Sequence, residues 1–247
     1  MSEYDLVVVV MACDTKEKYL HQILKIEETY GKLIHAMSNV KLLYFLGEEV
    51  GLVGEQYIHC KGVLNDYTSV SVKQFHGLKY VYEHFNTKFV MCIGSDTYLN
   101  IKKLLLFLKP FDSSKSLYIG GHGAFITIDG KSYYYHGGGP GFILSKPCLE
   151  TLYPKIKNID EFLTEWFTVR MKNYPDYLGA CDLWMGMLAE EMGAEFVISN
   201  GFYFCNFIGF PCHFQKFNFD EIISCHCMGL EDCDMFTKIL EASDYFV

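Results

Sequence analysis

Lys88-Phe89-Val90-Met91-Cys92-Ile93-Gly94-Ser95-Asp96-Thr97-Tyr98 is an apolar run that ends in two small residues and then a carboxylate. It reads as a buried strand whose carboxyl end carries Asp96. In α/β proteins ligands gather where parallel strands end at that edge. A carboxylate there suits a hard divalent cation and the phosphates it would bridge. A single aspartate supplies few ligands, so partners must come from elsewhere in the chain.

The surrounding pattern predicts where this strand sits. Residues 6–11 and 40–46 are strand-like, the second closed by Gly47. Between them Leu20, Ile23, Leu24, Tyr30, Leu33 and Ile34 recur at helical spacing. Val72, Phe75, Val81 and Phe85 mark a second amphipathic helix, and Leu104, Leu105 and Leu108 a third that stops before Pro110. Alternating strands and helices are the signature of βαβ units on a parallel sheet. Further on, residues 117–121 read as a strand, and 125–128 with 132–135 as a hairpin about Asp129-Gly130. Residues 142–144 read as a strand, Ser145 with Pro147 as a helix start, and 182–192 as a helix ending at Gly193. A strand over 196–199, a loop over 202–219 and a last helix over 231–245 complete the reading. With no repeat or Pro/Ser-rich linker, we expect one α/β domain over 1–247.

Composition narrows the function. Half of the 247 residues are hydrophobic and 16% aromatic, which argues against disorder. The net charge is −9 and Arg170 is the sole arginine, so no basic face offers itself to nucleic acid. Residues 6–11 are too short for a signal peptide, and no stretch has the ~20 apolar residues of a membrane span. We therefore expect a soluble, cytoplasmic protein, with a viral or protist setting in view. Ten cysteines contain no Cys-x-x-Cys pair, so a zinc site is not expected. Cys92 and Cys148 read as small core hydrophobes. Cys205, Cys212, Cys225, Cys227 and Cys233 cluster late, and reduced thiols are the expectation without an export signal.

Several polar residues then stand out, each with a plain structural alternative. Asp96 is either a turn aspartate or a metal ligand. His226 follows the apolar run Ile222-Ile223 and is either a satisfied structural histidine or the second ligand, since Asp, His and phosphate oxygens complete an Mn²⁺ or Mg²⁺ shell. Gly137-Gly138-Gly139-Pro140-Gly141 is a tight bend or a place of close backbone approach to a ligand. Asp182 is a helix cap, a general base, or both. Asp14 and Thr15, after the first strand, sit where a base or ribose meets an α/β sheet, or in a solvated loop. The aromatic row Phe202, Tyr203, Phe204 and Phe207 is a sugar-stacking platform or packing beneath a loop.

The order of these segments resembles the inverting β-1,3-glycosyltransferases, especially the fringe and core-1 β-1,3-galactosyltransferase branch. Residues 73–85 resemble the helix before that branch's metal motif, and Phe89 to Asn100 its "WFxxxDDDTYV" strand and acidic motif. Tyr118-Ile119-Gly120-Gly121 is similar to "YFG", and residues 137–145 to "GGAGYVLS". Cys181-Asp182-Leu183-Trp184-Met185-Gly186 is similar to "EDxxxG", and residues 223–228 to "VSFHYV". The likeness spans roughly residues 70–240.

The resemblance implies a GT-A type, Rossmann-like fold with a mostly parallel central sheet. Residues 1–110 would form a nucleotide-binding half and 111–247 an acceptor and catalytic half. It implies Mn²⁺- or Mg²⁺-dependent transfer, with inversion, of a hexose or N-acetylhexosamine from a UDP-sugar. The acceptor would be a hydroxyl of a glycan or glycoprotein and the linkage β-1,3; homodimerisation is left open. By position, Asp96 and His226 become the metal ligands and Asp182 the catalytic base. Lys73, Ser95, Asp96, Gly138 and Gly139, with Asp14 and Thr15, fall to the donor site. Three departures stand out. Gly94 and Ser95 replace the first two acids of the motif, Cys181 replaces the acid before the base, and the anchor and stem of secretory members are not seen. Loss of two carboxylates should weaken metal affinity or hand donor positioning to backbone and water. A catalytically silent nucleotide-sugar or carbohydrate-binding module is the alternative.

Overall fold

The computed structural model describes residues 3–66, 68–175, 179–204, 219–226 and 228–243. In chain order, β1 (Glu3–Met11), α1 (Glu17–Ile26), a wide-turn segment (Glu27–Gly31), α2 (Lys32–His35), β2 (Val40–Leu46) and β3 (Tyr57–His59) come first. There follow α3 (Val70–His84), β4 (Asn86–Gly94), β5 (Tyr98–Leu99), α4 (Ile101–Leu108) and β6 (Leu117–Gly120). The hairpin β7 (Gly123–Ile128) and β8 (Lys131–His136) precedes β9 (Phe142–Ser145) and α5 (Lys146–Ile156). Short helices α6 (Ile159–Glu161) and α7 (Thr168–Asn173) lead to α8 (Cys181–Glu191). The chain closes with β10 (Glu195–Ile198), β11 (Phe202–Tyr203), β12 (Ser224–Cys225) and α9 (Leu230–Ser243).

Seven strands form the main sheet in the order β10-β6-β9-β4-β1-β2-β3. β1 lies parallel to β2 and β4, β3 extends β2 in parallel, and β9 is the antiparallel member between β4 and β6. The unbroken apolar run Leu6 to Val10 is fully buried because helices cover both faces. Val8, Val10 and Met91 pack with Ile23, Ile26, Leu104 and Phe236 from α1, α4 and α9. Val7, Val9 and Cys92 pack with Phe75, Leu78, Leu149 and Leu188 from α3, α5 and α8. This is the α/β, mostly parallel architecture the sequence predicts. The chain steps from β1 to β2 on one side and returns across it to β4 on the other. That reversal opens a crevice at the carboxyl ends of β1 and β4.

The local readings hold with informative exceptions. The β7–β8 hairpin turns at Asp129 (φ 52°) and Gly130 (φ 79°), the two positive φ values of a type I′ turn. Leu24 and Leu33 are exposed, and Ile26 takes their place on the buried face. Ser145 and Pro147 open α5 as expected, with Ser145 at the N-cap position, but its hydroxyl donates to the Lys115 carbonyl and accepts from the Leu117 amide, bracing β6 in place of a side-chain cap. Phe202 and Tyr203, expected in a loop, are a short strand of a second sheet ordered β11-β12-β5. Residues 205–218, with Phe207, Cys205 and Cys212, and also Cys227, lie outside the described residues. Cys13, Cys60, Cys92, Cys148, Cys181 and Cys233 carry free thiols. No described helix is long and apolar enough to cross a membrane.

Candidate active site

The small sheet assembles the site. β12 pairs antiparallel with β5, Cys225 opposite Tyr98, while the Met228 amide donates to the Asp96 carbonyl. This pairing carries His226, 130 positions downstream of Asp96 in the chain, onto the turn after β4. Asp96 Oδ2 and His226 Nε2 come within 3.4 Å. On its other side the imidazole Nδ1 donates to the Phe204 carbonyl at 3.1 Å. A carbonyl only accepts, so Nδ1 carries a proton; Nε2 donates to the Asp96 carboxylate when the ring is protonated and offers a lone pair when it is neutral. Burial pushes the Asp96 carboxyl up, but the hydrogen bond and charge of His226 outweigh it and hold the group below its usual range. Burial lowers His226, and the Asp96 carboxylate more than reverses this.

Residues 137–139 fit the site groups one by one. A Cβ on Gly137 would stand 1.9 Å from the Phe204 ring. On Gly138 it would stand 2.7 Å from Asp182 Cβ, and on Gly139 2.3 Å from His226 Nδ1. The close approach expected of this cluster is therefore present, and what approaches is the protein's own site. Gly141 takes φ +91° against Ile93 and the Cys92 carbonyl, a conformation glycine adopts without strain. Two hydroxyls lock the loop in place: Thr97 donates to the Gly139 carbonyl at 2.7 Å and Ser224 to the Pro140 carbonyl at 2.6 Å. Tyr30 in turn donates to the Thr97 carbonyl.

Asp182 lies in the first turn of α8, where Ala180 rather than Asp182 is the flanking residue. Its Oδ2 accepts from the Gly138 amide at 2.8 Å and its Oδ1 from the Leu183 amide at 2.9 Å. Each carboxylate oxygen keeps a second lone pair. Burial raises the Asp182 carboxyl, and the two amides recover only part of the shift. The result is a held, basic carboxylate one residue along the glycine loop from the metal-type pair.

A cavity of about 170 Å³ fills the β1/β4 crevice, lined in part by Lys18, Gln22, Lys73, Gly94, Ser95 and Asp96. Ser95, in the place of a motif acid, donates its hydroxyl to Gln22 Oε1 at 2.6 Å. Lys73 is 2% exposed and donates to the Ala12 carbonyl at the end of β1. Asp14 and Thr15 do not line this cavity. Asp14 is buried and accepts from the Gly51 and Leu52 amides and from Asn65, so it braces the loop after β2. Thr15 is exposed. Among the described members of the aromatic row, Phe202 and Tyr203 are core residues and Phe204 is part-exposed in the site. Sequence reasoning missed Lys18, Gln22 and Thr97, although Thr97 adjoins the acidic motif.

Among the described residues no three His, Cys, Asp or Glu side chains converge as a metal cage. Asp96 and His226 supply a carboxylate oxygen and an oriented imidazole nitrogen. That pair fits a hard divalent cation such as Mn²⁺ or Mg²⁺, for which water and phosphate would supply the remaining ligands. The Phe204 carbonyl would be the outer partner that orients the imidazole toward such a cation.

A mostly parallel sheet covered on both faces, with a polar cleft at its switch point, defines an α/β protein of the doubly wound type. Residues 53–206 match the family model described as Fringe-like, and the chain belongs to the Fringe-like family. Chondroitin sulfate synthase 3 of Mus musculus is 36% identical over 104 residues, 39% of this chain and 11% of the relative. The Homo sapiens protein of that name matches at 36% over 104 residues and 12% of its length. The match thus spans about an eighth or less of these relatives. Among solved structures, a glycosyltransferase involved in glycosylation of the major capsid of PBCV-1 is 14% identical at TM-score 0.49, covering 94% of this chain and 99% of that one. The apo-form glycosyltransferase GlyE of Streptococcus pneumoniae TIGR4 is 11% identical at TM-score 0.46, covering 98% and 63%.

Proposed function

We propose that the chain is a glycosyltransferase that moves a hexose or N-acetylhexosamine from a UDP-sugar to a hydroxyl of a glycan or glycoprotein. We further propose that transfer inverts the anomeric centre, forms a β-1,3 linkage and depends on a divalent cation. The observation that carries this reading is the run Asp96, His226, Gly139, Gly138, Asp182, in which a 3.4 Å carboxylate–imidazole pair and a half-buried carboxylate meet on one loop.

Asp182 is the base. The acceptor hydroxyl gives its proton to an Asp182 oxygen as it attacks the anomeric carbon from the face opposite the leaving diphosphate. A carboxyl raised by burial takes that proton more readily than an ordinary one. The Gly138 and Leu183 amides keep both oxygens aimed during the transfer. Asp96 and His226 would hold the cation, which when bound neutralises charge on the departing diphosphate. A nucleotide-binding module without transfer is the second reading, favoured by Ser95, whose hydroxyl is committed to Gln22 where the family motif has an acid.

Thermal unfolding with UDP, Mn²⁺ and both together tests the site. A ligand at about 100 times its Kd adds about 2.7 kcal/mol. For a domain of this size that raises Tm by about 5–11 °C. The combination should exceed the sum of the separate shifts. The absence of a shift with UDP under either condition would overturn both readings.

A further inference from the structure

We infer that the diphosphate of the donor is held by two lysines, Lys18 and Lys73, so that this chain binds a nucleoside diphosphate even without a divalent cation. The inference rests on the UDP-sugar reading above and assigns to side chains a role that the missing acids would otherwise give to a metal.

The charges around the crevice lead to it. Its charged lining residues are Lys18, Lys73, Asp66 and Asp96. Both carboxylates are already engaged within the protein. Asp66 Oδ1 accepts from the Ser69 amide at 2.8 Å and the Thr68 hydroxyl at 3.0 Å, ahead of α3. Asp96 faces His226. Neither lysine has such a partner among the described residues. Lys73 makes one hydrogen bond, to the Ala12 carbonyl, and has no ion pair, so two of its three N–H donors remain. It is nevertheless 2% exposed, and burial lowers its affinity for the proton. Asp66 and Asp14 act on this ammonium only at a distance, without a direct ion pair, and an anion placed against its remaining donors would offset more of the cost of burial.

Lys18 stands in the first turn of α1, over its neighbour Tyr19, and makes no hydrogen bond or ion pair among the described residues. It borders two spaces: the crevice, and a groove of about 460 Å³ that also touches His21, Gln22, Asp96 and Gly229. One flexible cation therefore stands where both open onto Asp96. Gly94 and Ser95 add no negative charge, and Ser95 is bonded to Gln22 of the same helix. An acidic residue at either position would have opposed a diphosphate unless a metal intervened. With glycine and serine there, the lysines meet it directly.

Calorimetric titration with UDP, in Mn²⁺ and in excess EDTA, tests this on the wild type, Lys18→Ala and Lys73→Met. The wild type should bind in EDTA with a Kd within about tenfold of its value in Mn²⁺. Lys18→Ala should weaken binding in EDTA by about tenfold, the scale of one charge-assisted hydrogen bond. Lys73→Met should do the same where its melting curve shows a folded protein. If it does not fold, exposed Lys18 decides the matter alone. Binding in Mn²⁺ that vanishes in EDTA, or an unchanged Kd for Lys18→Ala in EDTA, would overturn the inference and leave the UDP-sugar reading standing. No binding in either buffer would overturn both.

Discussion

Asp182 accepts from the amides of Gly138 and Leu183 and is still raised by burial. The proposed role of this carboxylate as the base gives a sharp prediction. Asp182→Asn keeps the shape and removes the basic oxygen, so kcat should fall by about 10²–10⁴-fold with the Kd for UDP unchanged. Steady-state kinetics beside a UDP titration checks it; near-wild-type turnover would remove Asp182 from the role. The pH profile follows from the same shift. Asp182 is competent only when deprotonated, so activity should fall as pH drops through a pKa above the usual 3.8, placing the acid limb at higher pH than an ordinary aspartate would. The folded state binds this proton more tightly than the unfolded one. Asp182 alone therefore subtracts stability as pH rises, and Asp182→Asn should flatten that contribution. Asp96, Asp182 and His226 were legible because each ends or opens an apolar segment. Lys18 was not, since a lone lysine at a helix start looks like solvated surface. Asp14 sits at a strand end as a ligand-contacting residue would, but the Gly51 and Leu52 amides that consume it lie 37 and 38 positions away.

At the scale of elements the loop 137–141 governs the site. Its glycines are legible as a cluster, but only the fold shows that Phe204, Asp182 and His226 each fill the space of one missing side chain. Gly139→Ala would force the imidazole away from a Cβ 2.3 Å from Nδ1, and the ring is held on both sides by Phe204 and Asp96. This variant should lose the gain in UDP affinity that Mn²⁺ provides, while unfolding shows a cost of about 1–3 kcal/mol. Titration with and without Mn²⁺ checks it; an intact Mn²⁺ effect would show that the imbedded imidazole is not needed there. β5 and β12 are two residues each, too short for any periodic signal, yet their pairing is what brings Asp96 to His226. Short strands of that kind are specified by their partners, so the site's closure is hidden from the sequence while its ingredients are not.

At the scale of the whole molecule the sequence is most readable, because burial on both faces leaves unbroken apolar runs at β1 and β4. Strand and helix alternation predicts the parallel sheet, and the return from β3 to β4 across β1 makes the crevice. The antiparallel place of β9 between β4 and β6 is not legible, since a four-residue apolar strand carries no sign of its direction. The central claim concerns the molecule as a whole: that this fold transfers a sugar from UDP with inversion. Proton NMR of the first-formed sugar anomer, across a panel of α-linked UDP-hexoses and UDP-N-acetylhexosamines with Mn²⁺, tests it most directly. The account predicts a β-configured product from at least one donor, absent with Asp182→Asn. An α product, or no turnover of any donor by a protein that binds UDP, would contradict it.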